Sequence, residues 1–385
     1  MIRSGEISDF LQRAIEGNDF PSAVYLVGEK GNIAAADAIG HAVAEPKRIE
    51  ARANTIYDLA SLTKPLVTGL LLAKLMENGE IALTDRIEKL LPEFRGRGIE
   101  IRDLVTHTSG LPAWKPIYLL EGPEGDDYRS VIRDQRKYAP RENLAAMIGE
   151  VLPENERQTK VVYSDLNFLL LTVIIERIRG ARLDHLAKVE IVDPLGLRDT
   201  FYNPLPELRP RIAANEKGNE FEKQTCIDQG FDVSAHKWRD YQIWGEVHDG
   251  NAWFLDGVSG HAGIFSTAYE TFRIAQQFLP NFTEILEPQT CDLFRSNMTP
   301  GLSEGRSLTF QLAVTRDSAG NELPDEAFGH LGFTGTSLWI DPIKERVFIL
   351  LTNRTHAHPL PFKNINSVRR GFHDRAVRFL DENLF

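Results

Sequence analysis

A serine and a lysine three residues apart at the start of an apolar helix could act as a nucleophile and its proton partner. The stretch Asp58-Leu59-Ala60-Ser61-Leu62-Thr63-Lys64-Pro65 offers that pair. Residues at this spacing share one helix face and lie within contact reach. A serine hydroxyl attacks poorly until a neighbouring base takes its proton. Lys64 can help if burial lowers its pKa, or it can stay charged and tune another base. Pro65 fits only in a first turn, where its missing N–H has no partner to lose, so the helix must begin close to Ser61. At that end of the helix, developing negative charge is stabilised. The same proline disfavours helical geometry at Lys64, a tension that the fold has to resolve. Alone, Ser-x-x-Lys is a weak signal, because an ordinary capping serine gives the same pattern.

Two further stretches carry chemistry. Val161-Val162-Tyr163-Ser164-Asp165-Leu166-Asn167 precedes an apolar helix. A phenol near an ammonium has its phenolate favoured, which makes Tyr163 a candidate base for Ser61. The plainer alternative is a helix cap at Ser164 or Asp165 with Tyr163 packed in the core. Phe328-Gly329-His330-Leu331-Gly332-Phe333-Thr334-Gly335-Thr336 leads into a strand. Glycines there mark a close approach of ligand or backbone, and an edge strand could offer N–H groups to a substrate carbonyl. A glycine-rich turn with an incidental histidine uses the same glycine physics.

The elements that must position these residues follow from periodicity. Residues 6–17 have helical spacing, Ala23 to Val27 and Ile33 to Ala38 read as a hairpin, and Thr336 to Ile340 and Arg346 to Leu351 read as a second hairpin around Asp341-Pro342-Ile343-Lys344. A helix from about Asn366 to Leu384 closes the chain. Between Leu59 and Leu195 the strong signals are helical: Leu66 to Glu77, Ile101 to Val105, Arg141 to Val151, Asn167 to Arg179 and Leu183 to Ile191. The expected architecture is an α/β (α+β) fold in which an antiparallel sheet flanked by helices, 1–58 with 256–385, is split by a mainly helical domain, 59–255. The polar stretch from Trp114 to Glu142 reads as a surface loop or lid, and Pro204 to Gly245 as irregular.

Taken together and in this order, the three motifs resemble the active-site signatures of the serine β-lactamase and penicillin-binding-protein superfamily. The resemblance is strongest to its class C β-lactamase, D-Ala-D-Ala carboxypeptidase and esterase branch. Leu104-Val105-Thr106-His107-Thr108-Ser109-Gly110-Leu111-Pro112 and Gly260-His261-Ala262-Gly263-Ile264-Phe265-Ser266 also look like that branch, and the likeness runs from about Phe20 to Arg354. It implies a β-lactamase/transpeptidase-like fold. It also implies Ser61 as the acylated nucleophile, Lys64 and Tyr163 sharing the proton relay, and the N–H groups of Ser61 and Phe333 forming an oxyanion hole. Asp165, His330, Gly332 and Phe333 would contact substrate.

Two departures bear on activity. Tyr163-Ser164-Asp165 stands where class C enzymes have Tyr-x-Asn, so an amide donor becomes an acceptor-only carboxylate. His330-Leu331-Gly332 stands where they have Lys-Thr-Gly, which removes a permanent cation and a hydroxyl. The expected activity is therefore hydrolysis of small esters or amides, with β-lactams as an outside case. The alternatives are a D-amino-acid peptidase or penicillin-binding protein, and a catalytically weak penicillin-binding sensor.

Bulk properties agree with a small-molecule substrate. The 385 residues carry a net charge of −11, the wrong sign for a surface that neutralises phosphate, so no nucleic-acid partner is expected. No membrane span is expected, and the N-terminus lacks the pattern of a secretory signal, which points to the cytoplasm. No cofactor or metal is expected: Cys226 and Cys291 read as buried free thiols, and His248, Asp249 and His261 match no zinc spacing. His107 reads as structural, and His356 and His358 as rim residues.

Overall fold

The computed structural model describes residues 2–120, 140–234, 236–316 and 319–383. Most of the expected Trp114 to Glu142 loop therefore lies outside the described residues. Among these described residues, ten strands form two sheets. β1 (Ser22–Glu29), β2 (Asn32–Val43), β3 (Ile49–Glu50), β7 (Gln311–Leu312), β8 (Phe328–Leu331), β9 (Ser337–Asp341) and β10 (Arg346–Thr352) make a seven-stranded sheet in the order β3-β2-β1-β10-β9-β8-β7. All its pairings are antiparallel. The two hairpins expected at the chain ends thus meet at β1 and β10, where Ala23 faces Thr352 and Val27 faces Phe348.

Both faces of this sheet are covered, and strand alternation sorts the side chains. Tyr25, Val27, Phe348 and Leu350 point into an apolar cluster with Ile7, Leu11, Phe372 and Val377 from the terminal helices Gly5–Glu16 and Asn366–Glu382. Val24, Leu26, Val347 and Ile349 point the other way, into a larger cluster shared with Leu104, Phe168, Leu170 and Phe272. Truncating a fully buried ring such as Phe348 to alanine would cost about 3–5 kcal/mol. The larger cluster runs continuously from the sheet into the helical region.

The helices Ile101–Val105 and Asp165–Arg179 lie where periodicity puts them. Two segments expected as plain helix contain wide turns with i→i+5 bonding: Lys64–Gly69 ahead of the helix Leu70–Glu77, and Lys188–Val192 after Leu183–Ala187. The stretch expected to be irregular includes the helix Glu220–Asp228, whose buried positions are only Glu222 and Cys226, too few to give an apolar stripe. A small second sheet, β4 (Tyr57–Asp58), β6 (Ile264–Ser266) and β5 (Phe201–Tyr202), escapes sequence reading because its strands have two or three residues. Its role is positional: Leu59 N–H donates to the Ile264 carbonyl at 3.0 Å, which joins the segment before Ser61 to the segment after His261. No helix among the described residues is long and apolar enough to cross a membrane.

Candidate active site

Pro65 sits in the first turn of Lys64–Gly69, where its missing N–H costs no helical bond, and the chain passes through this wide i→i+5 turn before the regular helix begins at Leu70. Ser61 sits just upstream in a short 3₁₀ turn, Ala60–Leu62. Ala60 before it has φ +47°, a left-handed conformation that costs a non-glycine residue on the order of 1–3 kcal/mol. The strain is held by ties on both sides. Ala60 N–H donates to Asp58 Oδ1 at 2.9 Å, Thr334 Oγ1 donates to the Asp58 carbonyl at 2.8 Å, and Thr336 Oγ1 donates to the Leu59 carbonyl at 3.0 Å. A Cβ on Gly332 would lie 2.0 Å from Thr336 Oγ1 and 2.6 Å from the Leu59 carbonyl, so this close approach requires glycine.

Ser61, Tyr163, Asp165, His330, Gly332 and Phe333 line one cleft of about 680 Å³. Lys64, fully buried, reaches it from below. Its Nζ donates to Ser61 Oγ at 3.0 Å, to Asp165 Oδ1 at 2.7 Å and to the His261 carbonyl at 3.1 Å, and lies 4.9 Å from the centre of the Tyr163 ring. Burial opposes the charge, but Asp165 and Tyr163 outweigh it and raise the Lys64 pKa, so the ammonium persists. Tyr163 is also raised, by burial first; Lys64 pulls the other way and Asp165 adds to the rise. The resting phenol is therefore neutral, and Asp165, expected to contact substrate, spends one oxygen on Lys64.

Tyr163 is set in place by His107. The His107 Nδ1 accepts the Ser164 N–H at 2.9 Å, the His107 carbonyl accepts the Val162 N–H at 2.9 Å, and the two rings lie 4.6 Å apart. His330 stands on the far side of Tyr163, with ring centres 5.7 Å apart. Burial and the nearby Lys64 and Arg306 charges hold the His330 pKa well below the ordinary histidine value. Its Nε2 is buried and has no hydrogen-bond partner among the described residues. β7 pairs with β8 only at Phe328 and Gly329, so the outer edge from His330 onward is left uncovered by β7.

Sequence reasoning missed several cleft residues. Arg306, nearly buried, lies 5.7 Å from the Tyr163 ring centre and pairs with Glu304. It supplies a fixed cation near the place where His330 lacks one, and no motif around it announces this. Arg369, at the start of the last long helix, donates to the Gly332 carbonyl at 2.7 Å. His261 contributes through its carbonyl to Lys64, while its ring bridges Asp249 at 2.8 Å and Ser259 at 2.6 Å. Asp165, Asp249 and His261 have donor atoms within 4.8 Å of one another. The Lys64 ammonium brings a positive charge to this group through Asp165, and the His261 ring hydrogen-bonds Asp249. His248 pairs with Glu216 at 2.9 Å and stacks on Phe333. His356, expected at the rim, is instead fully buried, accepting the Ala44 N–H at 2.8 Å and bonding the Asn215 carbonyl at 2.8 Å. Cys226 and Cys291 are buried and unbridged.

A serine hydroxyl, a buried lysine, a phenol and an open strand edge around one cleft form a candidate serine-hydrolase site of the β-lactamase type. The Beta-lactamase family profile matches residues 7–369, and the chain belongs to that family. It is 30% identical to an N-acetylmuramyl-L-alanine amidase of Bacillus subtilis, over 91% of this chain and 81% of the relative. It is likewise 30% identical to a putative D-alanyl-D-alanine carboxypeptidase of Salmonella typhimurium, over 91% and 82%. Among solved structures, EstCE1, a hydrolase with promiscuous acyltransferase activity, superposes with a TM-score of 0.70 at 22% identity, covering 96% of this chain and 97% of that one. The octameric penicillin-binding protein homologue of Pyrococcus abyssi also gives 0.70, at 18% identity, over 97% and 77%. The fold is β-lactamase/transpeptidase-like, and the protein is a serine β-lactamase-like hydrolase.

Proposed function

We propose that this hydrolase acts on small esters or amides through an acyl-enzyme on Ser61, in the class C-related branch of the family. The observation that carries the reading is the Ser61 Oγ, Lys64 Nζ, Asp165 Oδ1 chain at 3.0 and 2.7 Å on the floor of the cleft. In the fraction of enzyme whose Tyr163 has lost its phenol proton to solvent, the phenolate takes the Ser61 proton while Oγ bonds to the substrate carbonyl carbon. The oxyanion is received by the N–H groups of Ser61 and Phe333. Lys64 then relays the proton to the departing alkoxide or amine, and water repeats the sequence in reverse to free the acid. Losing one oxyanion donor typically costs about 3–4 kcal/mol of transition-state stabilisation.

Mass spectrometry after treatment with a fluorophosphonate tests this reading. An adduct on Ser61, and loss of ester turnover in Ser61→Ala, are expected. An unlabelled Ser61 with full activity in the variant would refute it. A second reading, D-amino-acid peptidase activity, is favoured by Arg354 and Arg369 lining the same cleft, where a peptide carboxylate could be met. Parallel assay of short esters, nitrocefin and D-Ala-D-Ala peptides separates the two.

A further inference from the structure

We infer that the cleft beside Ser61 seats an aromatic or bulky apolar acyl group, selected by Phe221, Phe333 and Phe362. This rests on the Ser61 acyl-enzyme reading above. The three rings come from separate segments: the helix Glu220–Asp228, the turn after β8, and the segment before the helix Asn366–Glu382. Their centres lie 4.9 Å apart for Phe221 and Phe333, 5.6 Å for Phe221 and Phe362, and 6.0 Å for Phe333 and Phe362. All three line the cleft that holds Ser61, and all three are only partly buried, whereas core rings such as Phe310 and Phe328 are fully enclosed. Converging aromatic rings that keep part of their surface exposed at a cleft are favourably covered by an apolar group.

The wall is fixed in advance. The Arg354 guanidinium lies 4.8 Å from the Phe333 ring centre and donates through Nε to the Phe333 carbonyl at 2.6 Å, and the His248 ring stacks on Phe333 at 5.5 Å and 21°. Phe333 directly follows His330-Leu331-Gly332, so the apolar surface begins where the strand edge would hold the scissile carbonyl. Polar neighbours are engaged elsewhere. Arg354 Nη1 donates to the Lys363 carbonyl at 2.7 Å, and the Glu222 carboxyl accepts the Gly250 N–H at 2.9 Å and the Asn219 amide at 3.1 Å. Burial, reinforced by Asp249, pushes Glu222 up to about 8, so at neutral pH it brings little charge to the wall. An apolar surface of this kind discriminates by the area it covers.

p-Nitrophenyl phenylacetate and p-nitrophenyl acetate share a leaving group, so their ratio of kcat/KM reads the acyl side alone. The expected preference for phenylacetate is about 100-fold, the scale of a hydrophobic-pocket discrimination. It should fall about tenfold in Phe362→Ala and in Phe221→Leu, since each loses part of the covering surface. Both esters sample the same folded fraction, so the ratio stays informative for a poorly folding variant. A wild-type ratio near one, or a ratio unchanged in both variants, would overturn the inference and leave Ser61 as nucleophile. Undiminished turnover of both esters in Ser61→Ala would overturn the acyl-enzyme reading, and the inference with it.

Discussion

The Lys64 ammonium lies 2.7 Å from Asp165 Oδ1, closer than its 3.0 Å approach to Ser61 Oγ. The carboxylate thus holds the charge that faces Ser61. It raises the pKa of both Lys64 and Tyr163 and so opposes formation of the phenolate base. Asp165→Asn should lower both, moving the pH-dependent rise of kcat/KM towards acid while nitrocefin turnover increases. The buried ammonium loses a charge-assisted bond, so stability should fall by about 1.5–3 kcal/mol. A pH–rate profile and a denaturant melt of the same preparation check the two effects. An unshifted profile would show that Asp165 does not tune the relay.

Lys64→Met removes the proposed relay with little change of volume. Turnover should drop by about 10²–10⁴, the usual contribution of a positioned proton-transfer group. Stability should change far less, because replacing a buried charge by an apolar side chain recovers desolvation cost and the partly exposed Asp165 can hydrate. Fluorophosphonate labelling rates of Ser61, with a thermal melt alongside, distinguish a lost relay from a lost fold.

Thr336→Val tests how the nucleophile's loop is held. The variant deletes the 3.0 Å bond to the Leu59 carbonyl and keeps the bond from Thr334 to the Asp58 carbonyl. The expected loss is about 1 kcal/mol of stability, with a larger proportional loss of kcat as Ser61 is freed to wander. The double variant Thr334→Val with Thr336→Val should lose more kcat than the two single losses combined, since either tie partly restrains the loop.

Acid should destabilise the fold through His107 and His330. Both are buried and held well below the ordinary histidine value, His107 by burial, then Arg306 and Lys64, and His330 by burial, then Lys64 and Arg306. The unfolded chain binds their protons as pH drops through about 6.5 and the folded chain does not, so stability falls with pH below that point. These two groups contribute about 2.7 kcal/mol per pH unit, and Glu222, held protonated in the fold up to about 8, offsets part of that slope. His248, raised because Glu216 outweighs burial, contributes stability that is already complete below about 6.5, so it does not offset this slope. Denaturant midpoints between pH 7 and 5 measure the net slope, and His330→Gln should reduce the histidine contribution by about 1.4 kcal/mol per pH unit.

The longer strands and helices that carry the site were readable from the sequence. β1, β9 and β10 are apolar runs buried at every position and bounded by turn residues, and the helix Asp165–Arg179 holds an apolar run too long for a strand. The wide turn at Lys64–Gly69 was foreshadowed only as a conflict, since Pro65 after Lys64 contradicts a regular helix without saying what replaces it. The two- and three-residue strands of the second sheet show no period at all. His107 was readable as structural, and it is, but the tyrosine it orients lies 56 residues further on.

By itself the sequence determined the chemistry available: a serine and lysine on one helical turn, a tyrosine ahead of an apolar helix, and a glycine-flanked histidine entering a strand, in the order of a known family. Tertiary structure decided their states. Whether Lys64 stays charged depends on Asp165, 101 residues away, and on burial, neither of which spacing reveals. The cation beside Tyr163 comes from Arg306 and the cleft wall from Phe221, Phe333 and Phe362, assembled by sheet closure from distant segments. Local pattern reports the torsional and periodic preferences of neighbours along the chain, whereas protonation and pocket shape are set by charges and surfaces that meet only after folding.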